Sequence, residues 1–377
     1  MDWVEMLVRL RNWFLHQGRQ QSQILKNVPV KADYSQHHSL FDYICIPDKF
    51  LLWGVVAFWI GFFRNLTDTA DYIMATSPTP TSLLVGLSLK YVFGKPLVVE
   101  FRDPWISNPF RKARPYKILD KIELGLERMI LQKSDFIITI SEPMKSDICK
   151  LHTSLNPEHV KVVPNGLDEE EFQQIEPIKY DKFTILHAGN FYGKRTPYVF
   201  LRAIADLITE EPERFNPYSM QVIFAGRPQP DIDIYIKQLN LQNIVSQTGI
   251  LPHKNMLAMM CGADVLLLIP GPGAGTMTGK IFEYIAAGKP ILAIAEPGCA
   301  ADLIMEHGLG LVSSPEATSS IKRNISTLAQ SEFISFRPHE RKRFIHLWSR
   351  RNLVKEILDF ISPADHSNQS EGSLGGQ

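Results

Sequence analysis

The chain has 377 residues, of which 45% are hydrophobic and 21% charged, as in an ordinary globular protein with two domains. Lys and Arg together number 40, as do Asp and Glu, so the formal net charge is zero, which argues against nucleic acid as the main partner. The four cysteines are spaced neither as a disulfide framework nor as a zinc site, which indicates a reducing, cytoplasmic compartment.

The first segment, residues 1–30, has the spacing of an amphipathic helix, with Trp3, Leu7, Leu10 and Phe14 on one face. We do not interpret it as a signal peptide. Acidic residues stand near its start, and no basic region precedes an apolar one.

The stretch 50–63 reads FLLWGVVAFWIGFF and carries no charge over about 14 residues, short of the roughly 20 that a membrane-spanning helix needs. We interpret it first as a buried helix. The alternative is a monotopic contact with a membrane surface, which Trp53 and Trp59 favour.

Short apolar strands then alternate with helices along the chain. Strands are predicted at 72–75, 97–101, 136–140, 160–163, 183–186, 221–224, 265–269 and 291–294. Helices are predicted between them, at 83–93, 116–132, 196–209 and 255–261. This alternation predicts an α/β fold with parallel, doubly wound sheets.

The charged segment 169–182 interrupts the alternation and marks a domain boundary. We therefore assign residues 1–175 to an N-terminal domain and residues 176–340 to a C-terminal domain. Residues 338–361 are predicted to form one long basic amphipathic helix. Its part 341–361 is counted as a unit separate from the C-terminal domain. Its basic side chains fit a solvated face of a packing helix, our preferred interpretation, or attraction to anionic lipid headgroups. The polar, Gly- and Ser-rich residues 362–377 are predicted to be disordered.

The stretch 276–295 combines a Gly- and Thr-rich loop, a short helix and an apolar strand. The loop glycines Gly271, Gly273, Gly275 and Gly279 allow a close approach of the backbone and positive φ angles. Thr276 and Thr278 are candidate caps of the helix, and Gly288 is predicted to end it.

A helix N-terminus behind such a loop suits a phosphate group. Lys280 and Glu283 share a helix face, and together they can bind a phosphate and a sugar diol. The spacing fits neither a P-loop nor the dinucleotide fingerprint. An ordinary loop–helix–strand unit is the competing interpretation.

Other polar residues follow predicted strands, at the edge where parallel sheets bind ligands. They are Arg102, Asp103, Ser141 and Asn165. For each of them taken singly, an ordinary loop residue is the preferred interpretation.

Six segments, in this order and spacing, resemble the retaining GT-B glycosyltransferases of the fourth sequence family. The segments are FRDPW (101–105), VVPNGLD (162–168), ILHAGNFYGKR (185–195), VIFAGR (222–227), CGADVLLLI (261–269) and GKIFEYIAAGKPILAI (279–294). The resemblance implies an α/β GT-B fold, in which two Rossmann-like doubly wound domains face each other across a cleft.

The resemblance also implies a donor site in the C-terminal domain. Glu283 looks like the carboxylate that holds the ribose hydroxyls, and Lys194 with Arg195 resembles the basic pair that neutralises the diphosphate. The full set implied for the donor is Gly189, Asn190, Lys194, Arg195, Arg227, Leu251, Gly275, Thr276, Met277, Lys280 and Glu283. Asp103 and Glu283 are the candidate catalytic residues. A nucleotide-diphosphate-sugar is the expected donor substrate, and neither a metal nor another cofactor is expected to be required.

Two features depart from the family pattern. Gly275 stands where the family often has a second glutamate. The chain also begins with a predicted helix where family members usually have a strand and a Gly-rich turn, which indicates an abbreviated or truncated N-terminal domain.

The sequence thus predicts transfer of a sugar to a glycan or lipid-linked acceptor in cell-surface polysaccharide or glycoconjugate synthesis. The expected setting is the cytoplasm, with peripheral contact at the inner face of a membrane. Two alternatives remain open at this point: a nucleotide-sugar epimerase of the same fold, and a non-catalytic nucleotide-binding scaffold.

Overall fold

The structure is a computed structural model that describes residues 43, 45–67, 70–108, 111, 114–271, 277–330 and 338–362. The predicted N-terminal amphipathic helix and the predicted disordered tail from residue 363 onwards lie outside the described residues. The chain divides into two compact units. Unit 1 runs to Val163 and resumes at Asp359, and unit 2 is Pro164–Leu358.

The division between the units falls before Pro164, whereas the sequence placed it after residue 175. Leu167 explains the difference. Its side chain is buried in the core of unit 2, and its backbone N–H donates to the carbonyl of Trp348 at 2.9 Å. The loop that follows the last strand of unit 1 therefore already belongs to unit 2.

Unit 1 is built around a parallel sheet whose described strands run in the order β1-β2-β3-β4. β2 is buried along its whole length, as its run of apolar residues predicts. The elements are α1 (Leu51–Thr67), β1 (Ile73–Ser77), α2 (Pro80–Phe93), β2 (Leu97–Phe101), α3 (Lys117–Lys133), β3 (Phe136–Thr139), α4 (Glu142–Leu151) and β4 (Val160–Val162).

The helix predicted at 50–63 is confirmed as α1, but the prediction that it is buried is wrong. Its small residues Gly54 and Gly61 face α2, and its large apolar side chains point outward, for example Ile60, which is 59% exposed. No helix within the described part of the chain is both long and apolar enough to cross a membrane.

Unit 2 is built around a second parallel sheet, whose described strands run in the order β10-β9-β8-β5-β6-β7. Its strands and sheet-flanking helices are β5 (Phe183–Ala188), α6 (Tyr198–Glu210), β6 (Met220–Ala225), α7 (Pro230–Gln238), β7 (Val245–Gln247), α8 (His253–Gly262), β8 (Val265–Leu268), α9 (Lys280–Ala287), β9 (Ile291–Ile294), α10 (Cys299–Glu306), β10 (Gly310–Ser313) and α11 (Thr318–Leu328). A short helix, α5 (Glu170–Gln173), precedes β5. The two parallel sheets confirm the predicted fold class.

The single C-terminal helix predicted for 338–361 is instead two helices, α12 (Pro338–Leu347) and α13 (Arg350–Ile361). The break has a physical cause. Ser349 forms a parallel bridge with Leu167, and the N–H of Arg350 donates to the carbonyl of Leu167 at 2.9 Å and not to a helical partner, so the helix is interrupted at Ser349. α13 ends in unit 1, where Phe360 packs edge-on against Phe136 at 5.4 Å.

Candidate functional site

The sheet of unit 2 has a topological switch point. From β5, the chain adds β6 and β7 on one side of the sheet and β8, β9 and β10 on the other. Ligands of open parallel sheets bind beyond the carboxyl ends of the strands at such a point. The residues that follow β5 and β8 therefore lie where a ligand of such a sheet binds.

The loops after β5 and β6 approach each other through glycine backbones. A Cβ atom on Gly226 would lie 2.1 Å from the carbonyl oxygen of Gly189, so no other residue fits there without a backbone shift. The Oδ1 atom of Asn190 accepts a hydrogen bond from the N–H of Arg227 at 2.7 Å. The structure thus brings Gly189, Asn190 and Arg227 together, with the Arg227 side chain exposed.

A tight turn presents the predicted basic pair. The N–H of Arg195 donates to the carbonyl of Tyr192 at 3.0 Å, and Gly193 within the turn has φ +57°. Lys194 is exposed on this turn. The guanidinium of Arg195 lies over the ring of Tyr192, 4.8 Å from its centroid.

The Arg195 side chain then crosses the chain that follows β8. A Cβ atom on Gly271 would lie 2.9 Å from Cγ and from Nε of Arg195, and Gly271 has φ +88°. Nε of Arg195 is buried and has no hydrogen-bond partner among the described residues. Arg195 therefore lies at the switch point, and its Nε–H group is available to donate a hydrogen bond to a ligand.

The start of α9 carries the second charged pair. Nζ of Lys280 lies 2.6 Å from Oε2 of Glu283, one helical turn away, and both side chains are partly exposed, at 33% and 24%. Asn165 reaches the same place, since its Nδ2 lies 4.0 Å from where a Cβ of Gly279 would be. Lys280, Glu283 and Asn165 are thus brought together at one helix N-terminus.

Details of the loop before α9 differ from the predictions. Gly279 has φ −57°, so it does not use the positive φ that a glycine allows, and it is already helical where α9 begins. The hydroxyl of Thr278 accepts from the N–H of Lys280 only at 3.4 Å, a marginal cap. Gly275 and Thr276 lie outside the described residues. Met277 and Leu251 are half-buried and pack against the core of unit 2.

A buried polar network below these residues was not found from the sequence. Nδ1 of His187 donates to the carbonyl oxygen of Leu267 at 2.9 Å, and the hydroxyl of Tyr284 donates to the same oxygen at 3.2 Å. The Tyr284 hydroxyl also accepts from the N–H of Ala188 at 2.9 Å. These bonds connect β5, β8 and α9. The partners stand 80 and 96 positions apart in the sequence, so no local pattern signals them.

His187 is neutral in this setting. Burial lowers its pKa to about 4, with the nearby charges of Lys280 and Arg195 acting in the same direction and the Leu267 carbonyl opposing them. The His187 ring stacks on Phe191 at 4.3 Å, and its Nε2 atom has no partner among the described residues. Burial also raises the pKa of Tyr284.

Asp103 lies in unit 1, exposed just after β2. The loop that carries Asp103 is attached to the core of unit 1. Trp105 and Ile106 are buried, and the N–H of Ile106 donates to Glu127 at 3.1 Å. Glu127 in turn lies 2.8 Å from Nε2 of the buried His152. The loop of Asp103 is thus bonded to unit 1, and Glu283 belongs to unit 2.

Two further residues at strand ends have structural roles in the described chain. The hydroxyl of Ser141 caps α4, accepting from the N–H of Met144 at 3.4 Å. Arg102 pairs with Glu100 on the preceding strand at 3.2 Å. No cluster of three or more possible metal ligands occurs among the residues that the structure describes.

Chemically, unit 2 offers a helix N-terminus, two cations and one carboxylate around the switch point. Arg195 and Lys280 can neutralise a diphosphate, and the free N–H groups of a helix start favour the same anion. Glu283, held by Lys280, can accept hydrogen bonds from a vicinal diol. This combination suits a nucleoside diphosphate.

Two family models match the chain. The model described as Glycosyltransferase Family 4 matches residues 35–171, and the model described as Glycosyl transferases group 1 matches residues 182–331. The two matches follow the two units in order, and together they cover most of the chain.

Among curated proteins, the chain is 27% identical over 188 residues to alpha-maltose-1-phosphate synthase of Mycolicibacterium smegmatis, covering 46% of each chain. It is 24% identical over 146 residues to the phosphatidylinositol N-acetylglucosaminyltransferase GPI3 subunit of Saccharomyces cerevisiae, covering 36% of this chain and 31% of that protein. The chain thus spans less than half the length of these relatives.

Solved structures share the fold. Sucrose-phosphate synthase from Thermosynechococcus elongatus superposes with a TM-score of 0.64 at 15% identity, covering 83% of this chain and 78% of that one. HepE from Anabaena, solved in complex with UDP, superposes with a TM-score of 0.63 at 16% identity, covering 81% of each chain.

Proposed function

Because the chain belongs to the group 1 glycosyltransferases and has their GT-B fold, we propose that it transfers a sugar from a nucleotide-diphosphate-sugar to an acceptor hydroxyl. The observation that carries the proposal is the position of Arg195 and of the Lys280–Glu283 pair in the segments that follow β5 and β8, at the switch point of unit 2.

The proposed chemistry follows from charge. As the bond between sugar and diphosphate breaks, negative charge builds up on the leaving nucleoside diphosphate. Arg195 and Lys280, with Lys194 on the exposed turn, are placed to stabilise that charge, as is the N-terminus of α9. These groups are fixed before the reaction, so they need no reorganisation during it. In this proposal the reaction needs no metal ion or other cofactor, since protein cations neutralise the diphosphate.

Glu283 is assigned to the ribose hydroxyls. Lys280 holds its carboxylate at 2.6 Å, which leaves oxygen lone pairs for two neighbouring hydroxyl groups. Asn190 and Arg227 line the same edge of the sheet. The loop at Leu251 is assigned to the nucleobase. Asp103, on its supported loop in unit 1, is assigned to the acceptor side. Retention of configuration is proposed with these roles.

UDP is the first nucleotide to test, because HepE of the same fold was solved with UDP and with UDP-glucose. For the acceptor we propose a glycan or lipid-linked hydroxyl, in cell-surface polysaccharide or glycoconjugate synthesis at the cytosolic face of a membrane. The name of the GPI3 relative includes a phosphatidylinositol acceptor, which supports a lipid acceptor.

The test is titration calorimetry of UDP, GDP, ADP and TDP against the wild-type chain, Arg195→Ala and Glu283→Ala. Matched controls are Arg202→Ala and Glu213→Ala, which remove exposed charges outside the site. We expect one preferred base and losses of about 1–3 kcal/mol, or roughly 5- to 150-fold in Kd, in the two site variants only.

Two results would overturn the donor-site assignment. One is the absence of binding for all four nucleotides. The other is binding that the site variants and the control variants weaken equally.

A further inference from the structure

Helix α1 of unit 1 turns a large apolar face outward. We call this surface the α1 face, and it consists of Leu52, Val55, Val56, Trp59, Ile60 and Phe63. The side chains of these six residues are hydrophobic and between 50% and 82% exposed. They recur at positions three and four apart, so they form one continuous stripe along the helix. Contiguous apolar surface of this kind marks an interaction site.

Contacts with α2 fix the orientation of the α1 face. A Cβ atom on Gly54 would lie 2.4 Å from Cγ2 of Thr81, and one on Gly61 would lie 2.9 Å from Cδ1 of Leu89. The two helices therefore touch through the small side of α1, and rotating α1 to bury its large side chains would drive them into α2. The outward orientation is a property of the packed structure.

Asp48 connects the start of α1 to the start of α2 through hydrogen bonds. Its carboxylate accepts from the N–H of Phe50, at the start of α1, at 2.8 Å. It also accepts from the N–H and the hydroxyl of Thr81, at the start of α2, each at 2.8 Å. Since these bonds engage both carboxylate oxygens, the charge of Asp48 is turned toward the protein.

An apolar groove runs beside the α1 face, between α1 and α2. Its volume is about 500 Å³, and its walls include Phe58, Phe62, Val85 and Val92. Pockets of several hundred cubic ångströms hold small organic ligands. A groove with walls of this kind suits a hydrocarbon chain.

The charges around α1 match an anionic lipid surface. The stretch 50–63 has no charged residue, and the cations Lys49 and Arg64 stand at its two ends. Nζ of Lys49 lies 5.3 Å from the ring centroid of Phe50, so the positive charge borders the apolar face directly. The acids nearest to the helix in the sequence are Asp48, whose carboxylate is bonded to Phe50 and Thr81, and Asp68, which directly follows the last residue of α1. Apolar side chains flanked by cations, with tryptophans among them, suit the boundary between headgroups and acyl chains.

We propose that the α1 face docks on an anionic lipid bilayer, with α1 lying in the plane of the headgroup–acyl boundary and lipid chains entering the adjoining groove. α1 has 17 residues, and no described helix is long and apolar enough to span, so the contact is peripheral. The inference deepens the proposed function, on whose membrane setting it rests. It places no demand on the donor site, because α1 belongs to unit 1.

Vesicle flotation of the full chain tests the proposal. The probes are vesicles of phosphatidylcholine mixed with phosphatidylglycerol, and vesicles of phosphatidylcholine alone. The test variant combines Val56→Ser, Ile60→Ser and Phe63→Ser. The matched control combines Tyr218→Ser, Ile234→Ser and Met305→Ser, which removes three exposed side chains from unit 2, at 90%, 56% and 58% exposure. UDP binding is measured by calorimetry on the same preparations.

We expect the wild-type chain and the control to float with the anionic vesicles. The partition coefficient of the test variant should fall by about tenfold or more, because apolar groups drive interfacial binding. Lys49→Gln should weaken binding to the anionic vesicles by about fivefold or less and leave the neutral ones unaffected. A variant that loses flotation and keeps UDP binding supports the membrane contact separately from the donor site.

Three results would overturn the proposal. In the first, the wild-type chain binds neither vesicle, as it would if residues 1–42 covered the α1 face. In the second, the test variant floats like the wild type. In the third, light scattering shows a dimer that the test variant dissociates, and neither protein floats, so that a second copy covers the face. Loss of UDP binding with flotation intact would instead count against the proposed function alone.

Discussion

Helices α1 and α9 have similar apolar sequences and opposite surroundings. Six of the eight residues of α9 are buried, whereas the large side chains of α1 are exposed. The difference lies in what each helix packs against. α9 lies on the sheet of unit 2 and presents only its charged first turn outward, while α1 contacts α2 through its glycines. A run of apolar residues therefore indicates a helix that meets something apolar, without indicating that the partner is the protein's own core.

The same substitution made in both helices tests whether burial separates α9 from α1. Ile285 is fully buried in α9, and Ile60 is 59% exposed in α1. We expect Ile285→Ala to lower the free energy of unfolding by about 2–5 kcal/mol, from lost burial and the remaining cavity. Ile60→Ala should change it by no more than about 0.5 kcal/mol. Denaturant unfolding measures both.

Equal costs for the two substitutions would contradict the comparison. They would mean that another part of the chain covers the α1 face in solution.

The pH dependence of stability tests the burial of His187 beneath α9. The folded-state pKa of His187 is about 4, below its ordinary value of 6.5, so the unfolded chain binds the proton more readily. Stability from this site is thus fully present above about pH 6.5 and is lost as the pH falls toward 4, by on the order of 3 kcal/mol. His187→Phe keeps the stacking on Phe191 and removes the titration.

The measurement is the difference in unfolding free energy between the wild type and His187→Phe across pH 4 to 7. Other titrating groups are common to both proteins and cancel. A difference that stays constant with pH would show that His187 is not held neutral beside Lys280 and Arg195.

A smaller effect is expected for the hydroxyl that ties α9 to β5. Tyr284→Phe removes the acceptor of the Ala188 N–H and leaves that buried group without its partner. We expect a loss of about 1–3 kcal/mol in unfolding free energy. The control Tyr218→Phe removes a hydroxyl from a side chain that is 90% exposed, and it should change stability by less than about 0.5 kcal/mol. Equal effects would show that the network does not stabilise α9.

Much of α9 was predictable because its signals are local. The loop before it, Lys280 and Glu283 one turn apart, and the helix end at Gly288 all lie within about 20 residues of chain. Gly288 has φ +70° and closes the helix through bonds to Tyr284 and Ile285, as its glycine predicts. The basic turn at Lys194 and Arg195 was also readable, through resemblance to the family.

Other parts of the site were not predictable. The predicted strand ended at residue 186, but His187 lies in β5, where its ring donates to the carbonyl of Leu267. The contact of Arg195 with Gly271 and the closeness of Gly189 to Gly226 likewise join distant positions. The exposure of α1 was missed because apolar residues surround that helix on all sides, so its sequence shows no preferred face to bury.

The order of strands and helices, the parallel α/β class and the resemblance to the family could be read from the sequence, which also supplied candidate residues for a donor site. These follow from periodicity, glycine positions and short motifs, which depend on neighbours along the chain. The end of unit 1, the break of the C-terminal helix at Ser349, the bonds of His187 and Tyr284 and the outward face of α1 became known only from the three-dimensional structure. Those outcomes depend on contacts between residues far apart in the chain, and the free energy of such contacts is not encoded in any single segment.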